Sequence, residues 1–261
     1  MTPSDAVGQN MLEFFRHFAR SHRGGEVVDL DGISIASAGM AFYMFNAAFL
    51  SKPVLDAGGD LERRIDQAAG YLGGDGRRWA FWVAEDKLGN SLIRKAKSVF
   101  HRRDLRFAYR HPGMINESLA PPVRPLPPLE IRRVASRQER IEFSHINSVA
   151  FRIPLDWCLE LYDADSLSDG AFTGFVGYAN GEAVSTAAAM VAAGAVGVYA
   201  VATLPQHERR GYAEAMTRHA LAWGEQTSGF RRSVLQATGV GLPLYRRLGY
   251  QVVTHFTVFC T

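Results

Sequence analysis

Val201-Ala-Thr-Leu-Pro-Gln-His-Glu-Arg-Arg-Gly-Tyr-Ala-Glu-Ala215 joins a β-rich run, stopped at Pro205, to a helix that begins just past Gly211. A strand-to-helix junction of this kind leaves backbone N–H groups without intrahelical partners at the positive end of the helix, where an anion can satisfy them. Gly211 permits close approach of the backbone, small Ala213 keeps the first turn clear, and Arg209 and Arg210 add positive charge. Phosphate or pyrophosphate is the ligand chemistry this segment suits.

Downstream, apolar residues Ala213, Met216, Ala220 and Trp223 recur at helical spacing and predict an amphipathic helix ending near Gly224. Ser233 to Thr238 reads as a strand, Leu242 to Leu248 as a short helix stopped by Gly249, and Tyr250 to Cys260 as a final strand pair. Upstream, Leu129 to Val134 alternates like a strand, and Gln138 to Phe151 carries helix-spaced Ile141, Phe143, Ile146 and Ala150. Pro154 opens a second helix to Tyr162, and Asn180-Gly181 marks a hairpin between strands at Phe172–Tyr178 and Glu182–Val191. A third strand covers Val196 to Thr203. The pattern is a mixed α/β sheet.

Ala120-Pro-Pro-Val-Arg-Pro-Leu-Pro-Pro-Leu129 separates this region from an earlier one, since proline removes amide donors and favours an extended spacer. The expected division is residues 1–120, a linker at 121–128, and residues 129–261. In the first part Val27–Ala36 and Arg78–Ala84 read as strands, and Asp60–Leu72 and Ser91–Val99 as helices. The stretch from Trp79 to Phe107 repeats the strand-helix-strand order at the end of the chain, as a decayed second copy would.

Composition narrows the class. The chain has 261 residues, enough for two domains, and 47% hydrophobic with 21% charged residues predicts a folded, soluble protein. A net charge of +3 is too small for a nucleic-acid face, and the paired arginines lack interleaved aromatics. Two distant cysteines, Cys158 and Cys260, offer neither a disulfide framework nor a metal site and fit a reducing cytoplasm. Neither a leader nor a membrane-length apolar run is expected. Gly239-Val-Gly241 lacks the third glycine and acidic partner of a dinucleotide fingerprint, and Gly32-Ile-Ser34-Ile-Ala36 sits inside a strand pattern rather than at a nucleophile elbow.

Glu208-Arg209-Arg210-Gly211-Tyr212-Ala213 and Leu244-Tyr245-Arg246-Arg247-Leu248-Gly249-Tyr250 together resemble the acyl-CoA loop and the later Tyr-x-x-x-Gly-Phe/Tyr signature of the GCN5-related N-acetyltransferase (GNAT) superfamily. The resemblance covers residues 128 to 261; the first half is similar, more loosely, to the degenerate half of tandem GNAT proteins. It implies an α/β (α+β) fold with a mostly antiparallel GNAT sheet flanked by helices. It also implies transfer of an acetyl group from acetyl-CoA to a primary amine by direct attack, with no metal. On this reading the Val201 N–H polarises the thioester carbonyl, while Ala202 and Thr203 pair with the pantetheine arm. Glu208, Arg209, Arg210, Gly211, Tyr212, Ala213, Glu214 and Thr238 surround the rest of the CoA, and Tyr245 protonates the departing thiolate.

Glu208 departs from the family's Arg or Gln, and a carboxylate there disfavours pyrophosphate unless it points away or pairs with Arg209 or Arg210. No acidic residue lies between Ala183 and Gln206, so the base stays open among water, Tyr199, His145, Asp163 and Asp165. No glycine-rich pyrophosphate loop precedes Pro121, so a single CoA site is expected. Phe42, Tyr43, Phe45 and Asn46 are either acceptor-pocket walls or N-terminal core. The acceptor is a small-molecule or peptide amine, a homodimer stays open, and nucleic acid and membrane are not expected partners. The competing readings are a non-catalytic acyl-CoA-binding or regulatory protein and a scaffold that recruits partners through its proline-rich run.

Overall fold

The structure, a computed structural model, describes residues 1–55, 58–74, 76–162, 165–167 and 170–261. The secondary elements in chain order are α1 (Pro3–Ser21), β1 (Glu26–Leu30), β2 (Ile33–Ser37), β3 (Asn46–Leu50), α2 (Asp60–Leu72), β4 (Ala80–Ala84), α3 (Asn90–His101), β5 (Arg106–Asn116), β6 (Glu130–Arg133), α4 (Arg137–Phe151), α5 (Leu155–Leu161), β7 (Phe172–Ala179), β8 (Glu182–Ala192), β9 (Ala195–Thr203), α6 (Tyr212–Ser228), β10 (Ser233–Gln236), α7 (Leu242–Arg247) and β11 (Gln251–Cys260). The chain divides into two compact units, one made of Met1–Phe14 and Met114–Gln251, the other of Phe15–Gly113 and Val252–Thr261. Both are α+β, with mostly antiparallel sheets flanked by helices.

In the first unit the strand order is β10-β9-β8-β7-β6, antiparallel from β6 to β9 and parallel between β9 and β10. Strand alternation sorts the sheet into two faces. Phe175, Ala187, Ala189, Val196, Val198 and Leu235 belong to a core closed by Met216, Ala220 and Leu221 of α6. On the other face, Phe143 of α4 lies over Gly174, and Asn147 Nδ2 donates to Thr186 Oγ1 at 3.2 Å. Ser136 and Glu139 start α4 with a capping box, which satisfies two of its first amides reciprocally.

Helix α6 runs past Gly224 to Gly229, where a φ of +76° provides the left-handed stop. Gly224 reads as a terminator in the sequence, but it is a packing residue, because a Cβ there would lie 2.4 Å from Val196 Cγ1. Gly224→Ala is therefore expected to cost about 1–3 kcal/mol by overpacking. A lowered urea midpoint with an unchanged slope would show this, and an unchanged midpoint would refute it.

The second unit has the order β1-β2-β3-β4-β11, with β3 and β4 parallel and α2 crossing between them. This is the β9-α6-β10 arrangement again, and β4-α3-β5 follows it as α7 and β11 follow β10. Its core joins Ile33, Ile35, Phe81 and Val83 to Leu61 and Ile65 of α2, with Phe259 of β11 stacked on Phe100 at 4.0 Å. Two expectations change here, and one open alternative closes. Val27–Ala36 is a hairpin turning at Asp31-Gly32, where Gly32 has φ +85°. The final strand pair is one strand, β11. Phe42 and Phe45 are core residues that pack on each other, Phe45 also packs on Phe15 and Phe18, and Asn46 accepts from Gly39 N and donates to Met40 O.

Candidate active site

The first unit carries a cleft of about 730 Å³. It opens because pairing between β9 and β10 stops at Gly197–Val234, after which the two strands part. Its wall on one side is the β9 segment from Val198 to Thr203, where the ladder to β8 is interrupted. Thr186 faces Ala202 and Ala188 faces Tyr199, so Ala200 and Val201 together oppose Ala187. This β-bulge puts Ala200 at φ +50°, a left-handed conformation uncommon for a residue with a Cβ. The Thr186 hydroxyl donates to Ala200 O at 2.8 Å, and Ser185 Oγ donates to Ala202 O at 2.6 Å, fixing the bulge from behind.

Beyond Thr203 the chain makes a 3-10 turn at Pro205–His207 and enters α6 through Gly211, at φ +90°. Gly211 at the N-cap has no side chain to cap α6, so the leading amides of the helix can serve a ligand. Arg209 is also left-handed, at φ +58°. Val201, Ala202, Thr203, Glu208, Arg209, Gly211, Tyr212, Ala213, Glu214, Thr238 and Tyr245 all line this cleft. Arg210 does not; its guanidinium turns back to Gln206 O at 3.1 Å.

The charges near the start of α6 are arranged unequally. Glu214 pairs with Arg218 at 2.9 Å, and Arg218 also donates to Ala120 O at 2.7 Å. Among the described residues Glu208 forms no ion pair with Arg209 or Arg210. The proline-rich run lies along α6: Pro127 Cδ is 3.2 Å from where a Gly211 Cβ would be, and Arg124 lines the cleft. Arg124 is a cleft residue that motif reading does not find, because nothing local to the run links it to α6.

Across the cleft, Thr238 Oγ1 accepts from Gly241 N at 3.2 Å and shapes the turn into α7. Tyr245 is 7% exposed, and its ring packs edge-on to Tyr250 at 5.8 Å. Burial pushes the Tyr245 phenol far above its usual range, with a smaller opposing effect from the Thr217 hydroxyl, so it stays protonated at neutral pH. Gly249, at φ +94°, turns the chain, and Tyr250 donates to Ser233 Oγ at 2.8 Å. Of the base candidates, Tyr199 lines the cleft, while His145 is exposed on α4 and off it. Asp163 and the Asp165 side chain lie outside the described residues.

Among its described residues, the second unit has the crossover without the bulged strand of the first. The β2–β3 register runs unbroken from Ile33–Leu50 to Ser37–Asn46, with no bulge. Helix α2 also begins at a left-handed glycine, Gly59, but its first turn holds Asp60 and Glu62. Those carboxylates occupy the favourable field an anion would need, and Asp60 is already bound by Arg63 and Arg64 at 2.6 Å.

A bulged strand parting from its parallel neighbour, beside the start of α6, gives a cleft whose shape and exposed amides suit an extended ligand with an anionic end. Residues 140–250 match the model of the acetyltransferase (GNAT) family, and the segment carrying the cleft is a GNAT domain. The fold is shared along the whole chain. A GCN5-related N-acetyltransferase from Kribbella flavida aligns over 98% of this chain and 94% of its own, at 18% identity and a TM-score of 0.74. One from Sphaerobacter thermophilus covers 100% and 93%, at 14% and 0.61. A tandem GNAT protein from the clavulanic acid biosynthesis pathway covers 100% and 95%, at 8% and 0.54. At these identities the likeness is one of fold. Among curated proteins no sequence match is found. Among the described residues no helix is long and apolar enough to cross a membrane.

Proposed function

We propose that this protein transfers an acetyl group from acetyl-CoA to a primary amine, small-molecule or peptide, in the cleft between β9 and β10. The observation that carries this reading is the bulge at Ala200–Val201 set in one cleft with the uncapped start of α6 and the buried Tyr245 phenol. The amides from Arg209 to Ala213 hold the pyrophosphate, assisted by Arg209 and Arg124. Ala202 and Thr203 bind the pantetheine arm as an added strand. The Val201 N–H polarises the thioester carbonyl, the amine attacks directly, and the collapsing intermediate expels CoA thiolate, which takes its proton from Tyr245. Burial holds the Tyr199 phenol protonated, so the amine's own proton leaves to solvent. The absence of a disulfide framework supports work in a reducing cytoplasm.

The test is release of CoA thiol from acetyl-CoA across a broad panel of amines, with calorimetric binding of acetyl-CoA measured in parallel. Turnover with an amine supports transfer. Binding without thiol release would replace this reading with a non-catalytic acyl-CoA-binding protein, and no binding would end both.

Glu208 supplies a further expected result. Its carboxylate faces the cleft without a partnering arginine, and repulsion between unit charges near a protein surface amounts to ~1–4 kcal/mol at about 4 Å. Glu208→Gln should tighten acetyl-CoA binding by about three- to tenfold at low salt, and screening should shrink the gain as ionic strength rises. Equal dissociation constants for the two proteins at low salt would mean the carboxylate points away from the phosphates.

A further inference from the structure

Past the last β9–β10 pair, Gly197–Val234, the next residues on the same face of the sheet are Tyr199 and Gln236, one on each parting strand. Both line the cleft at its closed end. Val198, Leu235 and Ala237 point the other way, into the core under α6. If the thioester carbonyl is held at Val201, as in the function proposed above, an acyl chain extends from there toward Tyr199 and Gln236.

Tyr199 is not free to swing aside. Its ring stacks on Phe14 with centroids 4.0 Å apart and planes 6° from parallel. Its hydroxyl donates to Asn10 Oδ1 at 2.9 Å. Asn10 is fully buried, and its Nδ2 is anchored to the carbonyls of Met190, Ala192 and Ala195 at the β8–β9 hairpin. The carboxamide occupies the notch left by Gly197, where a Cβ would lie 2.0 Å from Asn10 Oδ1. A helix at the start of the chain thus braces a residue at that end of the cleft. Opposite Tyr199, the Gln236 carboxamide lies beside the Tyr199 hydroxyl, and a hydrocarbon tail pressed against it would desolvate a polar group.

We propose that Tyr199, braced by Asn10 and Phe14 and faced by Gln236, is the end wall of the acyl pocket and limits the protein to short acyl groups such as acetyl and propionyl. Tyr199 is a specificity-determining residue, and Asn10 is a positioning residue that acts through it.

Dissociation constants of CoA and of acetyl-, propionyl-, butyryl- and hexanoyl-CoA, measured by calorimetry on the full chain, test this without knowledge of the acceptor. The wild type should bind acetyl- and propionyl-CoA alike and hexanoyl-CoA at least ~30-fold more weakly. Tyr199→Ala should bring hexanoyl-CoA to within about threefold of acetyl-CoA by opening a cavity that holds the tail. Tyr199→Phe should keep most of the discrimination, since the stack survives, and Asn10→Ala should lose part of it. Equal affinity of the wild type for all chain lengths would overturn the inference. So would unchanged discrimination in Tyr199→Ala and Asn10→Ala, each with a folded circular-dichroism signature. Failure of every CoA thioester to bind would instead remove the function on which the inference rests.

Discussion

Tyr245→Phe is expected to lower the turnover number with acetyl-CoA by about 10²–10³ while changing the dissociation constant of acetyl-CoA by less than about twofold. The substitution keeps the ring, so its contact with Gly241 and its edge-on packing with Tyr250 persist. What it removes is the hydroxyl, which burial holds in the protonated form and which Thr217 adjoins. In the proposed function the departing thiolate, whose conjugate acid has a pKa of about 8.5, gains its proton from this hydroxyl as the bond breaks and leaves as the thiol that predominates at neutral pH. The measurement pairs a thiol-release assay with calorimetry and a thermal midpoint. Loss of the hydroxyl should cost no more than about 1 kcal/mol of stability, so the midpoint should fall by at most a few degrees. Turnover equal to wild type would mean that Tyr245 only packs.

The site half of the chain is legible to the extent that its forces are local. Periodicity places α4, α6, β7, β8 and β9, because each has one apolar face and neighbours in sequence that share it. The strand-to-helix turn at Pro205–Gly211 is legible for the same reason: proline, then glycine, then a helical pattern. The bulge is not. Ala200 and Val201 carry no turn signal, and Ala200 accepts φ +50° because hydroxyls of β8 and the chain's register impose it. Helix α1 escapes a motif reading because its purpose is met 189 residues away, where Asn10 meets Tyr199. The proline-rich run reads as a spacer, yet Pro127 rests over Gly211 and Ala120 is tied to Arg218. Glu214 reads as a CoA contact by its place in the motif, while its i,i+4 partner Arg218 gives it a second, structural task.

One of these long-range contacts, that of Pro127, lies at Gly211, where the largest expected loss of binding falls. Its φ of +90° is open to glycine and strained for any L side chain, and a Cβ would come within 3.2 Å of Pro127 Cδ. A valine must either move the proline-rich run away from α6 or twist the chain at the helix start. Either change misaligns the amides that α6 presents, which carry the pyrophosphate in the proposed function. Gly211→Val should therefore raise the acetyl-CoA dissociation constant by at least ~100-fold, with backbone strain lowering the thermal midpoint by about 2–6 °C. Gly239→Ala is the matched control: a Cβ there meets nothing within 4 Å, so binding should stay within about twofold of wild type. Arg209→Ala separates the two ways of holding the anion. If the amides dominate, losing one exposed guanidinium weakens binding by about tenfold or less. If Gly211→Val bound normally and Arg209→Ala did not, side-chain charge rather than the helix start would hold the phosphates, and the reading of this turn as a backbone cradle would fail.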